Sequence, residues 1–438
     1  MQIILLSGGS GKRLWPLSND VRSKQFVKIF SDDGENFESM LQRVFKQIRR
    51  NFSDVSITVS TSRAQKKIIK KYIDSGVEIS AEPCRRNTFP AIALTAAFLR
   101  DAKNISVDEE IIICPIDPYV EDDYFSTFKT MAELVKTSAA NLILLGINPT
   151  YPSEKYGYII PASKDFISEV LEFKEKPDVS TAEKYIERGG LWNGGVFACK
   201  LSYLLEKSRE ILRTDSHAEL LKNYSELPNT SFDYAVSEHE KNIKVVRYFG
   251  EWKDVGTWNT LTDVMREKSI GKVQFDSTCE NSHVVNETDL PIIAMGLKNI
   301  VVAASADGIL VADKTQSALM KSLVEKIHEP IRFAEKSWGV YQVVDADEDS
   351  LTIKVFLEAG ARMRYHSHER REEIWTVIEG KGKIVLDGEI KFVNVGDVIK
   401  ISAEVKHTVI AETKMKLIEV QIGKDITVED KILWEDLL

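Results

Sequence analysis

Two groups of residues carry the chemistry this sequence offers. The first is Leu6-Ser7-Gly8-Gly9-Ser10-Gly11-Lys12-Arg13, a glycine-rich turn directly after a short apolar run, with two cations at its end. Glycines let backbone N–H groups close on phosphate oxygens, and cations neutralise the charge. A purely structural turn has no need of the cations. The spacing is neither a Walker A loop nor the G-x-G-x-x-G of dinucleotide folds. The second is Gly360-x5-His366-x-His368-x4-Glu373-x6-Gly380, followed by Gly396-x5-Ser402-x-Glu404-x2-His407. Alternate residues on a strand share a face, so His366 and His368 point the same way. Histidine is scarce here, 7 in 438 residues. Three imidazoles and a carboxylate from neighbouring strands suit Zn²⁺, Co²⁺, Fe²⁺, Mn²⁺ or Ni²⁺.

Regular elements must bring these residues together. In the first part of the chain, short β-branched runs alternate with helical patterns. The periodicity predicts strands over 2–7, 55–61, 111–114 and 141–146, with helices over 37–50 and 90–103. Pro90 suits a first helical turn. Such alternation predicts an α/β domain over 1–265 with a doubly wound, mostly parallel (mixed) sheet. Short β-prone pieces over 273–313 predict a small β unit, and a helical pattern over 316–329 stops at Pro330. Strands are predicted over 340–344, 351–357, 374–379, 383–386, 397–401, 408–410 and 416–421. Strands so short and closely spaced form a sandwich or barrel. The expected parts are 1–265, a β linker with a helix over 266–330, and an all-β domain over 331–438.

Composition narrows the classes. Hydrophobic residues make up 43% and charged residues 29%, which excludes disorder, collagen and a disulfide miniprotein. Lys plus Arg number 58 against 67 Asp plus Glu, a net charge of −9 that argues against nucleic acid as a partner. Cys84, Cys114, Cys199 and Cys279 have no C-x-x-C spacing, so neither a zinc ribbon nor a disulfide framework is expected. The opening MQIILLSGGSGKR lacks the features of a signal peptide, and no apolar run is long enough to span a bilayer. The expectation is a cytoplasmic protein without a membrane partner.

The segment Gly8 to Ser18, followed by Ser23-Lys24-Gln25-Phe26, resembles the signature of sugar-1-phosphate nucleotidylyltransferases, within them the mannose-1-phosphate guanylyltransferase branch. Further motifs follow in that family's order. They are Glu82-Pro83-Cys84-Arg85-Arg86-Asn87-Thr88, Tyr156-Gly157-Tyr158, Phe173-Lys174-Glu175-Lys176-Pro177, Trp192-Asn193-Gly194-Gly195, Phe232-Asp233-Tyr234 and Trp252-Lys253-Asp254-Val255-Gly256. The resemblance implies that Gly8, Gly9, Ser10, Gly11 and Lys12 cradle the nucleotide, with Arg13 and Lys24 on its phosphates. Glu82 and Asn87 would also bind the nucleotide. Asp117 and Asp254 would hold Mg²⁺, Lys176 the sugar phosphate, and Glu175 and Asn193 the sugar hydroxyls. Gly157 would let the sugar approach the backbone. Arg13, Lys24, Asp117, Asp254 and Lys176 would be the catalytic set. Two positions depart from the pattern: Pro118 stands where the family has His, and Arg85 where it has Gly.

The histidine constellation resembles the two cupin motifs, with Ser402 in place of the usual Pro and Glu404 in place of the usual Gly. Lys336-Ser337-Trp338-Gly339-Val340-Tyr341 resembles the opening of the C-terminal cupin of type II phosphomannose isomerases, which fuse a guanylyltransferase to an isomerase. This implies a jelly-roll barrel holding a divalent transition metal, Zn²⁺, Co²⁺ or similar, on His366, His368, Glu373 and His407. Arg371 would take the 6-phosphate, and Glu372 or Lys354 the proton. The partners implied are GTP, mannose 1-phosphate, pyrophosphate and mannose 6-phosphate, and a homodimer. The alternatives are another sugar 1-phosphate or nucleotide, and a cupin that binds metal or sugar without catalysis.

Overall fold

The computed structural model describes all residues except 9–11, 20–21, 32–35, 74, 328–330, 428–429 and 436–438. Gly9, Ser10 and Gly11 of the predicted nucleotide loop therefore lie outside the described residues, as does the side chain of Lys12. The chain packs as two compact units. One comprises residues 1–10 and 25–266; the other comprises 11–24 and 267–438.

The first unit is built on a nine-stranded sheet. Its order is Val77–Glu82, Ser56–Ser62, Gln2–Ser7, Glu110–Pro115, Leu191–Lys200, Leu142–Ile147, Ile243–Tyr248, Ile167–Lys174 and Tyr158–Pro161. Gln2–Ser7 runs parallel to both of its neighbours, while Leu191–Lys200 is inserted antiparallel between Glu110–Pro115 and Leu142–Ile147. The sheet is thus mixed, as expected, but not mostly parallel: the inserted strand Leu191–Lys200 and the edge strands Ile167–Lys174 and Tyr158–Pro161 pair antiparallel with their neighbours. Its central strands are apolar throughout because helices cover both faces. The helix Thr88–Lys103 is itself apolar on most sides and sits in the core with Ile4, Ile111, Leu144 and Phe197. The helix Met40–Asn51 starts later than the predicted 37–50, because Ser39 and Gln42 form a capping box and the preceding Glu38–Ser39 is strand.

The second unit begins with a small β coil. Ser269–Ile270, His283–Asn286 and Ile300–Ser305 stack in parallel, as do Val273–Phe275 and Ile292–Ala294. The hairpin from Ile300–Ser305 to Gly308–Asp313 closes it, with Asp307 at the two-residue tip. The helical pattern over 316–329 yields only the 3₁₀ turn Gln316–Leu319 and the short helix Lys321–Val324. The rest is a jelly-roll of two antiparallel sheets. One has the order Phe333–Lys336, Gly339–Ala346, Ser350–Leu357, Met415–Gly423, Arg371–Glu379 and Val398–Ile401. The other runs Glu389–Val393, Gly382–Leu386, His407–Ala411, His366–His368 and Lys431–Leu433. Period-2 alternation puts Val355, Leu357, Trp375, Val377 and Leu417 into the core between them. The unpredicted strands of the barrel are short or polar: Phe333–Lys336, Glu389–Val393 and Lys431–Leu433; in the first unit, Val77–Glu82, Tyr158–Pro161, Ile167–Lys174, Leu191–Lys200 and Ile243–Tyr248 were not predicted either.

Candidate functional site

In the first unit, Asp117 follows the strand Glu110–Pro115. The next residues, Pro118–Val120, pair antiparallel with Trp252–Asp254, and Asp254 stands opposite Pro118. Pro118 opens its strand, a position where the missing N–H breaks no ladder bond. Both carboxylates are half-buried. Asp254 curls back over the following turn, since a Cβ on Gly256 would come within 2.9 Å of its Oδ1. Two hard oxygen donors of this kind fit Mg²⁺, which takes one or two carboxylates and keeps most of its water.

Gly157, Glu175, Lys176 and Asn193 are brought together. A Cβ on Gly157 would meet Glu175 Oε2 at 2.6 Å and the Asn193 Cβ at 3.4 Å, so any larger residue would have to push the Glu175 carboxylate aside. The Asn193 backbone N–H donates to Gly157 O at 2.8 Å. Lys176 Nζ pairs with the Glu175 carboxylate. The Asn193 amide is held at both ends: Nδ2 donates to Asp233 Oδ1 at 2.7 Å, and Oδ1 accepts the Gly195 N–H at 3.1 Å. Asp233 had no role in the sequence reading, although its motif was visible. Burial, and then the neighbouring Glu175, push its carboxyl up to about 7. An aromatic cluster ties the motif segments together. Tyr156 lies 4.9 Å from Trp192 and 5.4 Å from Trp252, ring centre to ring centre. Trp192 precedes Asn193, Tyr156 precedes Gly157, and Trp252 shares a strand with Asp254.

The predicted nucleotide residues are placed as follows. Gly8 is exposed just past the end of Gln2–Ser7. Glu82 ends its strand and accepts the Tyr224 hydroxyl at 2.7 Å; burial raises its pKa. Asn87 is the N-cap of Thr88–Lys103, at a φ of 69°. In the second unit, Arg13 is exposed in the turn Lys12–Leu14, and Lys24 is half-buried.

The barrel gathers His366, His368 and His407, all buried, with their ligand atoms within 4.8 Å of one another. Each Nδ1 faces a backbone carbonyl: Arg364 O at 2.7 Å, Asp430 O at 3.1 Å and Val405 O at 2.9 Å. A carbonyl only accepts, so each ring donates from Nδ1 and turns a bare Nε2 inward. Burial pushes the His366 imidazole down to about 2, which leaves it neutral, the form that binds metal. Glu373 brings its carboxylate to 3.0 Å from His368 Nε2 and 3.3 Å from His407 Nε2. His407 Nε2 is buried with no hydrogen-bond partner. Acceptors facing acceptors call for a cation, and imidazoles with a carboxylate fit a divalent transition ion.

Arg371 lies inside the barrel. Its Nη2 reaches His368 Nε2 at 3.1 Å, its Nε reaches Glu373 Oε1 at 3.2 Å, and Nη1 donates to Thr427 O at 3.0 Å. Glu372 and Lys354 fall on the strand faces opposite the buried positions, and Glu372 pairs with Lys400 at 3.0 Å. A carboxyl the sequence did not single out is better placed. Glu419 faces inward beside Gln421, opposite Trp375 in the ladder, and burial, then Glu373, push it up to about 8.

The Nucleotidyl transferase family pattern matches residues 2–269. The chain belongs to the nucleotidyl transferase family. The pattern of the mannose-6-phosphate isomerase C-terminal domain matches residues 324–436. A mannose-1-phosphate guanylyltransferase of Salmonella montevideo is 29% identical, over 99% of this chain and 98% of its own. The xanthan biosynthesis protein XanB of Xanthomonas campestris pv. campestris (strain B100) is 29% identical, over 99% of this chain and 98% of its own. A crystal structure described as mannose-1-phosphate geranyltransferase from Thermus thermophilus aligns with a TM-score of 0.64 at 28% identity, covering 75% of this chain and 99% of that one. In this nucleotidyl transferase the segments carrying Gly157, Glu175, Lys176 and Asn193 converge. Among the described residues no helix is long and apolar enough to cross a membrane.

Proposed function

We propose that the chain makes GDP-mannose and pyrophosphate from mannose 1-phosphate and GTP, and that its barrel interconverts mannose 6-phosphate and fructose 6-phosphate. One observation carries the first half: Glu175, Lys176 and Asn193 close around Gly157, and an aromatic cluster ties them to the strand of Asp254. The match to guanylyltransferases along nearly the whole chain supports guanosine and mannose as the substrates.

In this reading a phosphate oxygen of the sugar attacks the nucleotide α-phosphorus, and pyrophosphate leaves. The protein positions the reactants and neutralises charge. Arg13 and Lys24 hold the triphosphate, with Gly8, Glu82 and Asn87 in the nucleotide site. Lys176 contacts the sugar phosphate. Glu175 and Asn193 take sugar hydroxyls, and Gly157 admits the ring against the backbone. Asp117 and Asp254 would hold Mg²⁺, which when bound neutralises phosphate charge.

In the barrel, His366, His368, His407 and Glu373 would hold a transition ion, Zn²⁺ or Co²⁺, which when bound polarises the sugar carbonyl. Glu419 is placed to carry the proton between C1 and C2, in place of Glu372 or Lys354. Arg371 would supply the cation for the 6-phosphate. A cytoplasmic setting and a homodimer belong to the same proposal.

The test is pyrophosphate release by the purified chain with a panel of sugar 1-phosphates and nucleoside triphosphates, run beside a fructose 6-phosphate assay with added metals. GTP with mannose 1-phosphate should be the preferred pair. Another preferred pair would replace the substrates. Metal binding without isomerisation would leave the barrel as a binding module.

A further inference from the structure

We propose that Glu287 and Asp307, two carboxylates of the β coil, are positioning residues for nucleotidyl transfer. They fix the segment that continues from the glycine-rich loop and carries Arg13 and Lys24. The inference rests on the reading that these two cations hold nucleotide phosphates.

Residues 11–24 pack within the second unit, although the loop leaves a strand of the first. Four anchors hold the segment. The buried Arg22 guanidinium makes a two-pronged pair with Glu287, Nη1 to Oε2 at 2.6 Å and Nη2 to Oε1 at 3.0 Å. It also lies over the Phe333 ring at 5.3 Å. Asn19 Nδ2 donates to Asp307 Oδ2 at 2.7 Å and to Phe333 O at 3.1 Å. Ser305 Oγ donates to Pro16 O at 2.8 Å. The Trp15 indole presses on the hairpin tip so closely that a Cβ on Gly308 would come within 2.5 Å of its ring. Asp307 is itself fixed, because its Oδ1 accepts the N–H groups of Arg332 and Phe333 at 2.6 and 3.0 Å.

The two cations flank these anchors. Arg13 lies two residues before Trp15, and Lys24 two residues after Arg22. A cation carried on a free loop must be ordered when the phosphate binds, and that ordering weakens binding. A segment fixed beforehand avoids the loss. The two-pronged arginine–carboxylate pair is a geometry that fixes direction as well as distance. Gly157, Glu175 and Asn193 belong to the first unit, and the anchors to the second. Weakening the anchors should therefore affect the nucleotide and spare the sugar, a split that general destabilisation would not produce.

The experiment uses the full-length chain and the variants Glu287→Gln, Asp307→Asn and Glu287→Asp. GTP and mannose 1-phosphate are varied separately in the pyrophosphate assay. Glu287→Gln and Asp307→Asn should raise KM for GTP about tenfold or more, with KM for mannose 1-phosphate within about twofold of wild type. Glu287→Asp keeps the charge and should recover part of the loss. Amide hydrogen exchange across residues 8–24 should speed up in Glu287→Gln, with exchange in 88–103 unchanged, and this readout needs no activity. Wild-type KM for GTP in both neutral variants, or equal rises in both KM values, would overturn the inference. So would unchanged exchange across the segment. A wild-type chain that releases no pyrophosphate with any pair would instead remove the phosphate-binding reading on which the inference stands.

Discussion

Asp254 stands opposite Pro118 in a two-stranded ribbon, next to the chain position of Asp117. Two acidic residues 137 positions apart in sequence are thus brought to the same end of a ribbon with three residues of ladder on each side. The departure from the family's histidine falls at the start of this ribbon, where proline is tolerated.

Gly157→Ala should damage sugar binding alone. The added methyl would meet Glu175 Oε2 at 2.6 Å and push that carboxylate away from its place beside Asn193. KM for mannose 1-phosphate should rise on the order of tenfold, with KM for GTP nearly unchanged. Steady-state kinetics with each substrate varied in turn checks it. An equal rise in both would place the glycine outside the sugar subsite.

Asp233 makes stability depend on pH. Its carboxyl is held near 7 by burial and Glu175, whereas an unfolded Asp titrates near 3.8. Between these values the native chain binds more protons than the unfolded one, so stability falls as pH rises from about 4 to about 7. Asp233→Asn removes the penalty. The variant should melt several degrees above wild type at pH 8, and the gap should close as pH falls towards 4. Differential scanning calorimetry across that range measures it. A constant gap would show that the carboxyl is not the titrating group.

Much of the fold was legible in the sequence, because the buried strands of the first unit are apolar along their length and period-2 alternation marks the barrel. The strand Phe333–Lys336 was missed because it carries two charges. In the first unit, Leu191–Lys200, interrupted by Asn193, Gly194 and Gly195, and Ile243–Tyr248 were missed although both are buried along most of their length. The residues proposed to bind sugar and metal were legible as motifs, but their partners were not. Nothing in local spacing tells that Asp233 orients Asn193, that Glu419 faces the barrel interior, or that Arg22 meets Glu287 across 265 residues of chain. Such contacts are made by topology, which period and propensity do not encode.

Glu404 shows a departure with a physical cost. It occupies the usual glycine position of the second cupin motif and sits at a φ of 68°, in the left-handed region. A side chain there costs about 1 kcal/mol or more. Glu404→Gly should raise the stability of the barrel by about 1 kcal/mol, offset in part by the greater freedom of glycine in the unfolded chain. Urea unfolding followed by Trp375 fluorescence reads it; a lower midpoint would contradict the strain.

His368→Ala should abolish binding of one Zn²⁺ or Co²⁺ per chain and leave pyrophosphate release nearly unchanged. Removing an imidazole would leave the site one ligand short. Titration calorimetry with the metal alone checks binding, and the pyrophosphate assay checks independence. Retained stoichiometric binding would show that the histidines do not form the site.

The most direct test of the account is chromatographic detection of GDP-mannose after incubating the chain with GTP, mannose 1-phosphate and Mg²⁺, with Asp254→Asn run alongside. Loss of one anionic ligand should slow the reaction by about 10²-fold or more. The account predicts GDP-mannose accumulating in step with pyrophosphate in the wild type and almost none in the folded variant. Equal product from both proteins, or none from the wild type, would contradict it.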